Sequence, residues 1–179
     1  MIVSIDPSKV IFERKVQGMC KLAYKKHPQG CPNYGAERSL AGINTDLRSR
    51  VIRECPPNLP LIDKVFDFSK ELFMVYTTYP VGKDAEERRL TRPKMKTPGQ
   101  WYNFRYWQNR ARNKLYREME SFLENHPGTI VDLCPEAHGT NLDETMKNIG
   151  INLEWGAWPP EHKIENERYQ IAMGGYPSI

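Results

Sequence analysis

Residues 72–79 read LFMVYTTY and are followed by Pro80. The stretch is rich in β-branched and aromatic side chains, which favour extended structure, and the proline ends it. The sequence therefore predicts a buried strand at these positions. The rest of the fold is inferred outward from this strand.

A long helix is predicted on the C-terminal side, over residues 97–126. Thr97 can cap it, Pro98 suits the first helical position, and Gln100 completes a capping box. The segment His126-Pro127-Gly128 ends the pattern. Apolar side chains recur at helical spacing between these signals, at Phe104, Trp107, Ala111, Leu115 and Phe122.

The remaining patterns predict short elements. A strand over residues 128–133 leads directly to Cys134, and a second helix runs from a capping box at Thr140 and Asp143 to Gly150. Residues 151–157 and 169–173 alternate in polarity and predict an antiparallel hairpin. Residues 10–16 also alternate and predict a strand, and a short helical turn is expected within 43–52. Together these elements predict an α+β fold, with a small mixed sheet, two main helices and an irregular N-terminal cysteine-rich region.

Length and composition are those of one ordinary globular domain. The chain has 179 residues, 39% of them hydrophobic and 14 of them proline. We expect a single metal-binding domain, with a cysteine motif region at residues 19–62 and an α+β core at 63–179. No apolar run is long enough for a membrane span and no export signal is recognised, so a cytoplasmic protein is expected.

The four cysteines carry the clearest chemical signal. They are separated by 10, 23 and 78 residues, and proline follows Cys31, Cys55 and Cys134 directly. A cysteine before proline lies on a chain that does not continue as a regular helix, so these thiols belong to loops. Loops can direct several sulfur atoms to one inorganic centre, which then supplies the stability that loop packing lacks.

The same residues resemble a prokaryotic family of predicted metal-binding proteins of unknown function. Members share a cysteine followed by a CPxYG element and a CPP element, matched here by Cys20, by Cys31 to Gly35 and by Cys55 to Pro57. Many also carry a late segment of the form EAxGxDxxxT, and this chain has EAHGTNLDET from Glu136. The resemblance implies metal or iron–sulfur binding and supplies no reaction.

A [4Fe-4S] cluster is the preferred cofactor and zinc is the alternative. Zinc sites usually take ligands in close pairs such as CxxC, whereas widely spaced cysteines suit the separate iron atoms of a cubane. Cys20, Cys31 and Cys55 are the expected ligands. Cys134 is the expected fourth ligand, which would close the cluster and favour electron transfer; if it does not bind, one iron is left open to a substrate. His27, His138 and Glu136 lie in the motif segments and are candidates to contact the centre or a small-molecule substrate.

A basic segment offers a second hypothesis. Residues 88–117 carry ten Lys and Arg and no acid, interleaved with six Trp, Tyr and Phe, whereas 118–179 carry three cations and eleven acids. Such a mixture can hold single-stranded nucleic acid, with Arg105, Arg110 and Arg112 as candidate contacts. The alternative function is therefore a zinc-stabilised module that contacts nucleic acid. No hydrolase, zincin or nucleotide-binding signature is present, so the sequence predicts neither a reaction nor a redox partner.

Overall fold

The computed structural model describes residues 1–22, 28–153 and 167–179. Its centre is a five-stranded mixed sheet in the order β1-β3-β5-β4-β2. The predicted α+β class is confirmed. The strands are β1 (Ile2–Ile5), β2 (Val51–Ile52), β3 (Leu72–Tyr79), β4 (Ile130–Asp132) and β5 (Arg168–Gly175). The helices are α1 (Arg14–Gly18), α2 (Val81–Thr91), α3 (Pro98–Trp101), α4 (Gln108–Asn125) and α5 (Leu142–Lys147).

The predicted strand at residues 72–79 is confirmed as β3, which is hydrogen-bonded to β1 and β5 on its two sides. Its side chains alternate between two separate cores. Met74 and Tyr76 pack into one, and Phe73 and Val75 pack into the other. Both faces of the strand are therefore covered, which explains why its sequence is apolar without interruption.

Helix α4 covers one face of the sheet. Leu115, Met119 and Phe122 join Val75 in the core beneath it. A Cβ atom added to Gly174 of β5 would lie about 2.6 Å from the Phe122 ring. Since van der Waals contacts need about 3.5 Å or more, only glycine lets this ring approach the strand.

The opposite face of the sheet is covered by α5 and by N-terminal segments. Leu142 and Met146 of α5 pack with Val10, Ile62 and Phe66 against the strands. Each of these five side chains is buried. Two apolar cores, one on each side of the sheet, give the domain three layers.

The long helix predicted over residues 97–126 is wrong in its first half. The Thr97–Gln100 capping box is present, but α3 ends at Trp101. A 3₁₀ turn over Phe104–Tyr106 follows, with the Asn103 side chain accepting from the Arg105 amide. Since Asn favours such local hydrogen bonds over helix continuation, the regular helix begins again only at Gln108. Phe104 is exposed as a result.

The second predicted helix is confirmed with a different N-terminal cap. Asn141 rather than Thr140 accepts from the Glu144 amide, and α5 spans Leu142–Lys147. Thr140 is instead fully buried and forms an isolated β-bridge with Phe12. The cap moves by one residue because Thr140 is held by this tertiary pairing.

Of the N-terminal predictions, the strand is wrong and the short helical turn is confirmed. Residues 10–16 are not a strand, since α1 begins at Arg14, and the N-terminal strand is β1 at Ile2–Ile5. The turn expected within 43–52 is a 3₁₀ helix over Thr45–Arg50, followed by β2. Helix α2 was not expected, because its sequence has almost no apolar stripe.

The predicted strand at residues 128–133 is confirmed as β4, and that at 169–173 as β5. The first strand of the predicted C-terminal hairpin, residues 151–157, lies largely outside the described residues. Its described part, 151–153, has no regular secondary structure. None of the helices in the described ranges is long and apolar enough to cross a membrane.

Candidate functional site

One edge of the sheet brings the cysteine-bearing loops together. Strands β2 and β4 are adjacent and parallel, with Ile52 opposite Asp132, so both end at the same edge. Cys55 follows β2 by three residues and Cys134 follows β4 by two. The Leu133 amide continues the pairing by donating to the Ile52 carbonyl at 3.0 Å. Two cysteines that are 79 positions apart in the sequence are thereby carried to neighbouring loops.

Backbone hydrogen bonds connect the other two cysteine segments to these loops. The Cys31 amide donates to the Cys20 carbonyl at 2.7 Å, and the Cys55 amide donates to the Ala36 carbonyl at 3.1 Å. The Gly35 amide donates to the Pro56 carbonyl at 2.5 Å, which connects the CPxYG and CPP elements directly. The motif segments that contain Cys20, Cys31 and Cys55 therefore form one connected loop structure.

Gly30 allows the first two segments to meet. It has φ +88°, in the left-handed region, and a Cβ atom there would lie about 2.7 Å from the Lys21 backbone. Neither the dihedral angle nor the space suits a larger residue. The glycine before Cys31 thus serves the close approach of residues 20–21 to residues 30–31.

Burial raises the pKa of three of the four thiols. Burial raises the pKa of the Cys20 thiol, and Cys31, Glu136 and Cys55 raise it further. Burial also raises the pKa of Cys55, with a smaller contribution from Cys31. Cys134 is buried, and its pKa is raised well above the ordinary value by burial and by Glu136, with Cys55 adding to the effect. Burial is therefore the main cause of the raised pKa at each of these three thiols.

Arg38 supplies positive charge at the centre of this group. Burial alone would lower the pKa of its guanidinium, but Cys134, Glu136 and Cys55 raise it overall. The Arg38 side chain hydrogen-bonds the Cys55 side chain, while its Nε is buried without a partner among the described residues. The arginine is positioned by a backbone hydrogen bond from its own amide to the Arg53 carbonyl at 3.0 Å.

Asp132 anchors the loop that carries Cys134. The carboxylate is fully buried, and it accepts from the Cys134 amide at 2.9 Å and from His138 Nδ1 at 2.8 Å. His138 is only 2% exposed. The intervening residues form a 3₁₀ turn, Pro135–His138, which Gly139 ends in a left-handed conformation. One carboxylate therefore holds both ends of the turn, and Glu136 within it lies 3.7 Å from Cys134 Sγ.

A pocket of about 240 Å³ adjoins this turn. Arg38 and Glu136 line it from the cysteine side, and Arg112 lines it from α4. Leu133 and Ile171 form part of its wall at the edge of the sheet. The pocket therefore lies beside the cysteine-bearing loops.

The residues predicted to form the metal site meet different outcomes. Cys20, Cys31, Cys55 and Cys134 are free cysteines, the first two half-buried and the last two buried. Within the described ranges, however, no three His, Cys, Asp or Glu side chains are arranged to hold a metal ion. His138 is paired with Asp132, and Glu136 faces both Cys134 and the pocket. His27 lies outside the described residues.

The arginines predicted to contact nucleic acid have separate surroundings. Arg105 lies over the Tyr106 ring, 5.9 Å from its centroid. Arg110 hydrogen-bonds Tyr79, and Arg112 lines the pocket beside the cysteine loops. Tyr106 also contacts the guanidinium groups of Arg88 and Arg92, each at 5.2 Å. Several cations of the basic segment are therefore engaged within the domain.

Two residues of the site were missed by sequence reasoning, Arg38 and Asp132. Asp132 begins a run of chemically active side chains at every second position, continuing through Cys134, Glu136 and His138. That alternation directly after a predicted strand could have identified it. Arg38 follows the CPxYG element by three residues, and nothing in the local pattern distinguishes it from other exposed arginines.

Compared with known proteins, the chain matches no family model, no curated protein and no solved structure. The resemblance drawn from the cysteine motifs and the EAHGTNLDET segment therefore remains a prediction based on those residues.

Proposed function

We propose that this chain binds an inorganic centre through its loop cysteines, with a [4Fe-4S] cluster as the cofactor. Cys20, Cys31 and Cys55 are the proposed ligands, and Cys134 is the proposed fourth. The function would be electron transfer or cluster-assisted chemistry on a small-molecule substrate. This follows from soft thiolate ligands, which favour iron–sulfur clusters and zinc over harder metal ions.

The connected loop structure is the observation that carries this proposal. Three motif segments are joined by backbone hydrogen bonds at Cys31 and Cys55 themselves, and the sheet pairing at Ile52 and Leu133 brings Cys134 alongside. Irregular loops gain little stability from packing alone, and a cofactor would stabilise these connected segments once it is bound.

The charges of the site suit an anionic cluster. A cluster with thiolate ligands carries negative charge, and Arg38 lies among the thiols with a buried Nε that lacks a partner in the described structure. Hydrogen bonds to sulfur and nearby charges are the means by which proteins tune such clusters. Arg38 would therefore balance the ligand charge and donate a hydrogen bond toward it.

The turn after Cys134 would position the fourth ligand. Asp132 fixes the Cys134 amide and His138 together, so the sulfur is presented on a braced turn. Burial raises the pKa of the Glu136 carboxyl, which keeps a proton at its oxygen atoms more readily than an exposed glutamate does. Glu136 therefore holds a titratable group between Cys134 Sγ and the pocket.

Zinc is the less favoured cofactor for a geometric reason. A zinc ion binds four donors within about 2.0–2.3 Å of one point, and structural zinc sites usually take them in close pairs such as CxxC, which this sequence lacks. A cubane instead presents a separate iron atom to each cysteine, and ligands from separate loops can reach it without meeting at one point. The wide spacing of the cysteines in the sequence therefore supports the cluster over zinc.

The test is metal analysis of the full-length chain purified without oxygen. We expect a coloured protein with about four iron and four sulfide per chain, and visible absorption that bleaches on reduction. Cys20→Ser, Cys31→Ser and Cys55→Ser should each lose most of the iron. Ser49→Ala, an exposed change near the same loops, is the control and should retain it.

Circular dichroism of each variant separates loss of iron from loss of fold. A colourless protein with one zinc per chain would favour the alternative module, especially if it is retained on single-stranded nucleic acid at low salt. Protein that binds no metal, or three cysteine variants that keep their iron, would contradict the proposal. Retention of iron by Cys134→Ser would indicate a site with one open iron.

A further inference from the structure

The pocket beside the turn at Pro135–His138 has a lining that metal binding alone does not require. Apart from its apolar wall, it is lined by Arg38, Gln108, Arg112, Glu136, Tyr169 and Gln170. These side chains come from the cysteine region, from the first turns of α4, from the turn after β4 and from β5. Guanidinium, amide and phenol groups therefore converge on one space from four separate elements.

The charged groups of this lining favour an anion. Among the described residues of the lining, Arg38 and Arg112 bring two positive charges, and Glu136 is the one acidic side chain. The carboxamides of Gln108 and Gln170 and the Tyr169 hydroxyl can donate hydrogen bonds without adding charge. A guanidinium group presents several donors in one plane, which matches the geometry of carboxylate and phosphate oxygens.

A further observation points to an acceptor that the described residues do not supply. Nε of Arg38 is buried and has no hydrogen-bond partner within the described part of the chain. Buried donors are paired in the great majority of cases, because a donor removed from water without a partner destabilises the fold. Arg38 lines the pocket and also contacts Cys55, so it connects this space with the cysteine loops.

The size of the pocket limits its occupant. Its volume is about 240 Å³. Pockets for drug-sized ligands usually measure about 300–1,000 Å³, so this one suits a smaller molecule, such as an organic acid or a phosphate ester of a few carbon atoms.

We propose that this pocket binds a small organic molecule through an oxyanion group, a carboxylate or a phosphate, held by Arg38 and Arg112 beside the cysteine loops. As the site of a substrate, this inference rests on the proposed function, because the molecule would then lie next to the inorganic centre. Its direct consequence is specific anion binding by the chain, and that can be measured whether or not iron is present.

The test is calorimetric titration of the full-length chain with two probes, inorganic phosphate and malonate, at constant ionic strength. At least one probe should bind more tightly than chloride does. Arg112→Gln should weaken that binding about tenfold, because a charge-assisted hydrogen bond is lost. Lys114→Gln removes one positive charge from the same helix outside the pocket, and it should change the affinity less than twofold.

The outcomes separate the inference from the proposed function. Binding of phosphate alone indicates a phosphorylated substrate, binding of malonate alone a carboxylic acid, and either result supports the inference. Failure of both probes, or equal effects of Arg112→Gln and Lys114→Gln, overturns it. Iron is measured in the same samples, so iron-free protein that binds a probe through Arg112 rejects the cluster and keeps the anion site. Iron-loaded protein that binds neither probe supports the cluster and rejects the anion site.

Discussion

Replacement of Asp132 tests whether this carboxylate braces the turn that carries Cys134. The side chain is fully buried and accepts two hydrogen bonds, from the Cys134 amide at 2.9 Å and from His138 Nδ1 at 2.8 Å. Asp132→Ala leaves both donors buried and unpaired, at about 1–3 kcal/mol each. We therefore expect the free energy of unfolding to fall by about 4 kcal/mol.

Asp132→Asn divides that effect into two parts. The amide oxygen can still accept from the Cys134 amide, but the nitrogen cannot accept from His138. The expected cost is therefore about 1–3 kcal/mol, smaller than for alanine. Glu87→Gln makes the same acid-to-amide change at an exposed position of α2, and surface changes of this kind stay within about 0.5 kcal/mol.

Urea denaturation followed by circular dichroism measures these differences. Metal-free, reduced protein is used throughout, because a bound cofactor would add its own stabilisation. The variants must unfold with the same dependence on urea for the comparison to hold. A loss below 1 kcal/mol for Asp132→Ala, or equal losses for alanine and asparagine, would refute the role assigned to this carboxylate.

Two further predictions concern the turn at residues 134–139. Gly139→Ala should destabilise the protein by about 2–5 kcal/mol, since φ is +85° and the new Cβ would lie 2.6 Å from Leu61 Cδ2 and 2.9 Å from the Glu13 carbonyl oxygen. Gly150 has a similar φ of +81° with open space around it, so Gly150→Ala is the control. Urea denaturation should show only its conformational cost of about 1–2 kcal/mol. Equal losses of stability in the two variants would argue against steric contact at Gly139. Because burial raises the pKa of Cys134 well above its ordinary value, its thiolate forms only at higher pH in the folded, metal-free chain. We measure the rate of iodoacetamide labelling at Cys134 as a function of pH by peptide mass spectrometry. The increase in this rate should occur at a higher pH in the folded protein than in urea. Identical pH profiles for the two states would contradict this.

Elements with strong local signals were predictable from the sequence. Leu72–Tyr79 is a strand because β-branched and aromatic side chains favour extended structure and Pro80 ends it. The second half of α4 follows the spacing of Leu115 and Phe122, and the loop character of the cysteine segments follows from the prolines beside them. In each case the decisive interactions involve residues within a few positions of one another.

Elements whose partners are distant in the sequence were not predictable in this way. Strand β1 is short and exists because it pairs with β3, and Thr140 is withdrawn from the α5 cap by its bridge to Phe12. Helix α2 has no clear apolar stripe and contributes chiefly Val81 and Ala85 to a small core with Tyr102 and Trp107. These outcomes depend on which surfaces meet, and no local pattern records that.

The candidate site was likewise predictable only in its local features. The residue types and the proline-rich loops identify thiol chemistry, because a cysteine before proline has a restricted backbone wherever it lies. The adjacent positions of the Cys55 and Cys134 loops, the buried Asp132–His138 pair and the position of Arg38 beside the pocket depend on tertiary contacts such as the parallel pairing of β2 with β4. Local propensity acts over a few residues, whereas strand order joins segments 79 positions apart. The sequence therefore identified the reactive residue types, and only the tertiary structure determined how they are arranged.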